Sequence, residues 1–111
     1  MLSLEETWIK AAVEHKIINI DYFSARTKKE HTNRDVEPDF VGTSKNGTNK
    51  GFWATFCHLR HQGPRCFTPN NILKFEVTSK TFIPSPKGRW EELIPIYKEK
   101  GLREKEFGGI K

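Results

Sequence analysis

GFWATFCHLR, residues 51–60, is the stretch on which the fold turns. Side chains alternate along a strand, and its two parities are Phe52, Ala54, Phe56, His58, Arg60 and Trp53, Thr55, Cys57, Leu59. Both parities begin apolar, the pattern of a strand buried on both faces inside a sheet, and only the even one ends basic. Just upstream, Asn46-Gly47 in TSKNGTNKG is the strongest short turn signal in the chain, and it predicts a hairpin joining this strand to the one before it.

Working outward, RDVEPDFVG (34–42) reads as the preceding strand, bent or bulged at Pro38 because proline cannot donate to a ladder. A polar turn region, ARTKKEHTN, separates it from IINIDYFS (17–24), a half-buried strand with Ile18, Ile20 and Tyr22 on one face and Asn19 and Asp21 on the other. Ser3 with Glu6 forms a capping box, and Leu4, Trp8, Ala11, Ala12 and His15 recur at helical spacing, predicting a short helix over residues 4–15 that covers the sheet. Downstream, HQGP is a loop, RCFT a short strand, PNNI a turn, and KFEVTSKTF a strand alternating Phe75 and Val77 with Glu76 and Thr78.

Five short strands joined by tight turns, after one N-terminal helix, predict a mainly β fold: a small five-stranded antiparallel barrel or strongly bent sheet. Residues 1–84 form this unit and 85–111 a C-terminal extension. In the extension IPSPKGR is a linker, WEELIPIYKEKG a helix kinked at Pro95, and GLREKEFGGIK a tail expected to fray unless a partner orders it. The 111 residues suit one domain, with 35% hydrophobic and 30% charged residues calling for a compact core. Residues 1–40 hold six Lys/Arg against eight Asp/Glu, and 41–111 hold thirteen against six, so the basic character lies in the C-terminal two-thirds. Such charge speaks for association with a polyanion, and not about fold. No apolar run reaches the ~20 residues of a membrane span, and the acidic N-terminus is unlike a signal peptide, so a cytoplasmic protein is expected.

FCHLRHQGPRC (56–66) concentrates two cysteines, two histidines and two arginines. With His61–Pro64 as the loop, Arg60 is expected opposite Arg65, Leu59 opposite Cys66 and His58 opposite Phe67. Cys57, Leu59 and Cys66 then share one face, and His58, Arg60 and Arg65 the other. Zinc ligation by both cysteines and His58 would need strand neighbours to point the same way. A disulfide between diagonal cysteines is awkward though open, and two free, buried thiols are expected. A Cys57 nucleophile with His58 or His61 as base meets the same alternation and finds no orienting group, so no enzyme, metal or cofactor is expected. The facing arginines repel unless Glu37 or Asp39 relieves them or an anion sits between them.

The segments AAVEHKIINIDYFSA, RDVEP, GFWATFCHLR and RCFTPNNILKFEVTSKTF occur in the order and spacing of the WYL domain, which the chain resembles from about Ile9 to Phe82. The resemblance implies an Sm-like small β-barrel and a regulatory module of bacterial or phage transcription regulators, sensing a ligand that includes nucleotide or single-stranded nucleic acid. It implies ligand contacts at Tyr22, Ser24, Arg34, His58, Arg60 and Arg65. Tyr22, Phe52 or Trp53 could stack a base, with core packing as the alternative for each.

The chain also departs from the family. The naming Trp-Tyr-Leu triad reads Gly51, Phe52, Trp53; Thr68 replaces a second arginine, and Asn70 and Asn71 replace an Asp-Arg pair, so a less basic pocket is expected. A helix-turn-helix unit usually precedes the barrel in the family, whereas one helix precedes it here. The expected setting is therefore a piece of a longer regulator, or a standalone module acting through ligand binding or through partner proteins, a DNA-binding regulator among them. The alternative function is a protein–protein interaction or homo-oligomerisation module, built on the sheet edge or on the Trp90, Leu93, Tyr97 stripe, unless that stripe packs back on its own barrel.

Overall fold

The computed structural model describes residues 2–43, 47, 50–57 and 65–108, with backbone alone at 50, 56 and 57. Helix α1 (Leu4–Glu14) starts at the expected capping box: the Glu6 backbone N–H donates to Ser3 Oγ (3.2 Å), and the Ser3 N–H donates back to Glu6 Oε1 (3.2 Å). It stops at His15, whose left-handed backbone (φ 58°) turns the chain into the sheet.

The sheet comprises β1 (Lys16–Ser24), β2 (Lys29–Thr43), β3 (Lys50–Cys57), β4 (Arg65–Phe67) and β5 (Ile72–Thr81), all neighbours antiparallel, in the order β4-β3-β2-β1-β5. The β2–β3 hairpin pairs Gly42 with Gly51 around the Asn46-Gly47 signal, and Gly47 has the positive φ (75°) such a turn requires. Register shifts flank Pro38, as expected of a strand bulged there. Ile18, Ile20 and Tyr22 face the core together, at 0%, 0% and 8% exposure.

The sheet curls without closing. Tyr22 on β1 and Phe67 on β4 are three strands apart, about 14 Å in a flat sheet, yet their rings meet at 5.0 Å. A single 3-10 turn, Pro69–Asn71, carries the chain from the β4 edge to the β5 edge. No ladder joins those edges among the described residues, so the expected barrel is an open, strongly bent sheet with a seam. Trp8 of α1 plugs its hollow: it is fully buried, stacks on Phe52 (5.4 Å), leans on Phe67 (6.2 Å) and donates its indole N–H to the Trp53 carbonyl (3.0 Å).

The β3–β4 register differs from the expected one. Arg65 stands opposite Ala54, Cys66 opposite Trp53 and Phe67 opposite Phe52, six positions earlier along β3 than the pairing of Arg65 with Arg60. Arg65 thus shares a face with Ala54 and Cys66 with Trp53, whereas the Cys57 side chain, His58, Leu59 and Arg60 lie outside the described residues. Gly51 fits this register, since a β-carbon there would stand 2.6 Å from the Phe67 carbonyl oxygen and 3.0 Å from the Cys66 sulfur. Both faces of β3 were expected to be buried. Phe52 and Ala54 are, whereas Trp53 and Thr55 on the other face are half-covered.

As far as Gly108, the extension packs back instead of fraying. A 3-10 turn (Trp90–Leu93) runs into α2 (Ile94–Glu99), with Pro95 in the first turn where its missing N–H costs nothing. Leu93 and Leu102 are 1% and 0% exposed and join Leu2, Ile9 and Ala12 in a second cluster bordered by Trp90 and Tyr97. The Trp90, Leu93, Tyr97 stripe is thus spent within the chain. Polar bonds fix it there: Asp39 accepts from the backbone N–H groups of Arg89 (2.9 and 3.0 Å) and Trp90 (3.1 Å), and the Gly108 N–H reaches Thr7 Oγ1 (3.0 Å). Among the described residues no helix is long and apolar enough to cross a membrane.

Candidate anion-binding cleft at the sheet seam

Where the sheet fails to close, it leaves a cleft of about 290 Å³. β5 pairs with β1 only as far as Tyr22, so the end of β1 runs on with one edge open. That end and the following turn (residues 22–27) make one wall, His31 of β2 sits beside them, and Arg65–Thr68 with Asn71 make the other. The walls therefore come from segments some forty residues apart, joined by the curl of the sheet.

Three residues named from the sequence, Tyr22, Ser24 and Arg65, meet here, together with Thr68 and Asn71, two of the positions where family arginines are replaced. Arg26, on the turn, adds a second guanidinium that the sequence reading did not single out. Among the described residues no aspartate or glutamate lines the cleft, and neither Arg26 nor Arg65 forms an ion pair. Asp39, one of two carboxylates expected to relieve the arginines, is spent on Arg89 and Trp90. Ser24 Oγ accepts from the Thr27 N–H (3.3 Å), which leaves its own proton to donate.

Arg34 lies elsewhere. It stands opposite Ile20 on β2, half-buried, and its Nε is buried without a hydrogen-bond partner among the described residues. His58 and Arg60 fall outside the described residues, as does His61. Of the aromatics named as base stackers, Phe52 is 6% exposed and committed to Trp8, so its ring is withdrawn from that role. Trp53 stands on the other face of β3, opposite Cys66, with its indole N–H on the Gly42 carbonyl (3.3 Å). Tyr22 is enclosed by His31, stacked at 5.0 Å, and by the Phe67 ring set edge-on at 5.0 Å.

Cys66 corrects the expectation of a buried thiol: β4 is an edge strand, and the residue is free and exposed. Desolvation around its sulfur still pushes the thiol above its usual range, which keeps it protonated near neutral pH and a poor nucleophile. No group of three or more His, Cys, Asp or Glu that could hold a metal is found among the described residues. No family model, curated protein or solved structure matches the chain.

Proposed function

We propose that the chain is a ligand-sensing regulatory module that binds a phosphate-bearing ligand, a nucleotide or single-stranded nucleic acid, and acts in transcription regulation in the cytoplasm as a WYL-like domain alongside a DNA-binding partner. The carrying observation is the seam cleft, which Arg26 and Arg65 line with no carboxylate beside them among the described residues. Guanidinium groups left without acidic partners on opposite walls suit an oxyanion, which their fixed fork engages bidentately, and the Ser24 hydroxyl is placed to add a neutral donor. In this reading the chain binds and does not catalyse. Of the two surfaces named for the alternative assembly module, the Trp90, Leu93, Tyr97 stripe packs internally, which leaves the sheet edge.

The test is a titration of a fluorescent short oligonucleotide and of a nucleoside monophosphate at low and moderate salt, with Arg65→Ala alongside. Binding that weakens as salt rises and falls about tenfold or more in Arg65→Ala is expected. An absence of binding at low salt, or an affinity indifferent to Arg65→Ala, would sink the reading.

A further inference from the structure

The strand order leaves two outer edges, β4 and β5. β4 is three residues long, whereas β5 has ten and pairs with β1 alone. Among the described residues no other segment pairs with its outer edge. Unpaired N–H and C=O groups along such an edge are a template for another strand, and bulges are one device that blunts it. β5 has a register shift towards each end, opposite Asp21–Tyr22 and opposite Lys16–Ile18 of β1. Between them Lys74, Phe75, Glu76 and Val77 match Asp21, Ile20, Asn19 and Ile18 without interruption, so one regular window remains.

That window is self-complementary. Phe75 and Val77 lie opposite the buried Ile20 and Ile18, while Lys74 and Glu76 are exposed on the other face of the sheet. Neither Lys74 nor Glu76 forms an ion pair among the described residues. If two identical strands pair antiparallel about a two-fold axis at Phe75, Lys74 stands opposite Glu76 of the second copy, and Glu76 opposite its Lys74. Unlike charges directly opposite one another stabilise a strand pair, and like charges destabilise it. Moving the axis to Lys74 sets lysine against lysine, and moving it to Glu76 sets glutamate against glutamate. An axis between two residues sets the core-facing Phe75 against a residue of the outer face. One register in the window therefore satisfies both charge and face.

We propose that the outer edge of β5 is a homodimer interface, at which two copies join their sheets antiparallel about a two-fold axis at Phe75. The flanking register shifts confine the pairing to the window. Both copies use the same edge, so assembly stops at two. A contact this short lies below the standard interface size, which makes the dimer weak and its population dependent on concentration. The proposal is independent of the anion cleft, whose lining does not include Lys74–Val77.

The test is sedimentation equilibrium of the full chain, without ligand, from about 10 µM to 1 mM. Wild type, Lys74→Glu, Glu76→Lys and the double exchange Lys74→Glu/Glu76→Lys are compared, with melting curves to confirm folding. Wild type is expected to pass from monomer to dimer across that range. Each single exchange sets like charges opposite one another twice and should weaken the dimer about tenfold or more. The double exchange should restore it, and an equimolar mixture of the two single variants should form a mixed dimer. A wild type that stays monomeric overturns the proposal and leaves the edge to a strand of another protein. A dimer that either single exchange leaves unchanged overturns it too. Weakened single variants that neither the double exchange nor the mixture rescues also overturn it, because charge then acts without the two-fold register.

Discussion

Arg89 and Arg65 occupy two ends of one molecule and are treated in opposite ways. Arg89 is engaged through all three of its nitrogens: its Nε and Nη2 reach Glu92 (2.7 and 3.0 Å), Nη1 reaches the Thr43 carbonyl (2.9 Å), and the guanidinium lies 3.7 Å above the Phe40 ring. Around it the extension is tied to the helix by a chain of the same kind. Glu14 Oε2 takes both Lys10 Nζ and the Tyr97 hydroxyl at 2.6 Å, and Lys10 also lies over Phe107. Arg65, at the seam, has no such partner among the described residues. Charge is consumed where the fold is held together and left facing space where it is not, which is how a binding surface differs from a joint.

The contrast breaks first where the joint is apolar. Leu93→Ala removes a fully buried side chain from the second cluster and is expected to cost about 2–5 kcal/mol in urea denaturation. The phosphate affinity of the folded fraction should stay unchanged. Asp39→Ala strands the backbone N–H groups of Arg89 and Trp90 and should cost about 1–3 kcal/mol. Asp39→Asn keeps an acceptor oxygen and removes a buried charge. Burial raises the Asp39 carboxyl above its ordinary value, so the folded state favours the protonated form, and the charged form weakens stability as pH rises through that raised value. The stability of Asp39→Asn relative to wild type should therefore improve from acid to neutral pH, which melts at the two pH values check.

Tyr97→Phe comes next, losing one hydrogen bond to Glu14 for about 0.5–1.5 kcal/mol. Desolvation, then the Glu14 hydrogen bond and charge, push the Tyr97 phenol up to about 12. Its share of stability should be intact below the ordinary phenol value near 10 and disappear as pH climbs to about 12. Absorbance titration of the phenolate should show that midpoint, and the Phe variant should lack the corresponding alkaline loss. Smallest of all, Arg65→Ala and Arg26→Ala should leave stability within about 0.5 kcal/mol of wild type while weakening phosphate-ligand binding. A large loss of stability in either would make the seam another joint.

The elements that local pattern controls were legible in the sequence. The Ser3–Glu6 box, the alternation of β1, the Asn46-Gly47 hairpin and the break at Pro38 all rest on contacts within a few residues. The β3–β4 register was not, because alternation sets which face a residue takes but not how far along its partner it sits. That distance depends on Phe52 and Phe67 meeting Trp8, which is tertiary. The tail misled for a similar reason: GLREKEFGGIK is rich in charge and glycine, and its anchors, Leu102 and Phe107, find their sites only once α1 and the sheet exist. At the cleft, Arg65 came from the facing-arginine reading of the hairpin as well as from resemblance and Tyr22 and Ser24 from resemblance, whereas Phe23 and Arg26 had no local signal. Their position follows from β5 ceasing to pair at Tyr22.

The Pro38 bulge has a geometric consequence for size. A straight strand of fifteen residues would extend about 50 Å, yet the longest dimension of the whole molecule is 38 Å. β2 is therefore bent at its irregular points, and one ribbon serves as both the floor of the extension's dock, through Asp39 and Phe40, and the flank of the seam, through His31. Straightening that ribbon would carry its two ends beyond the reach of the parts they support.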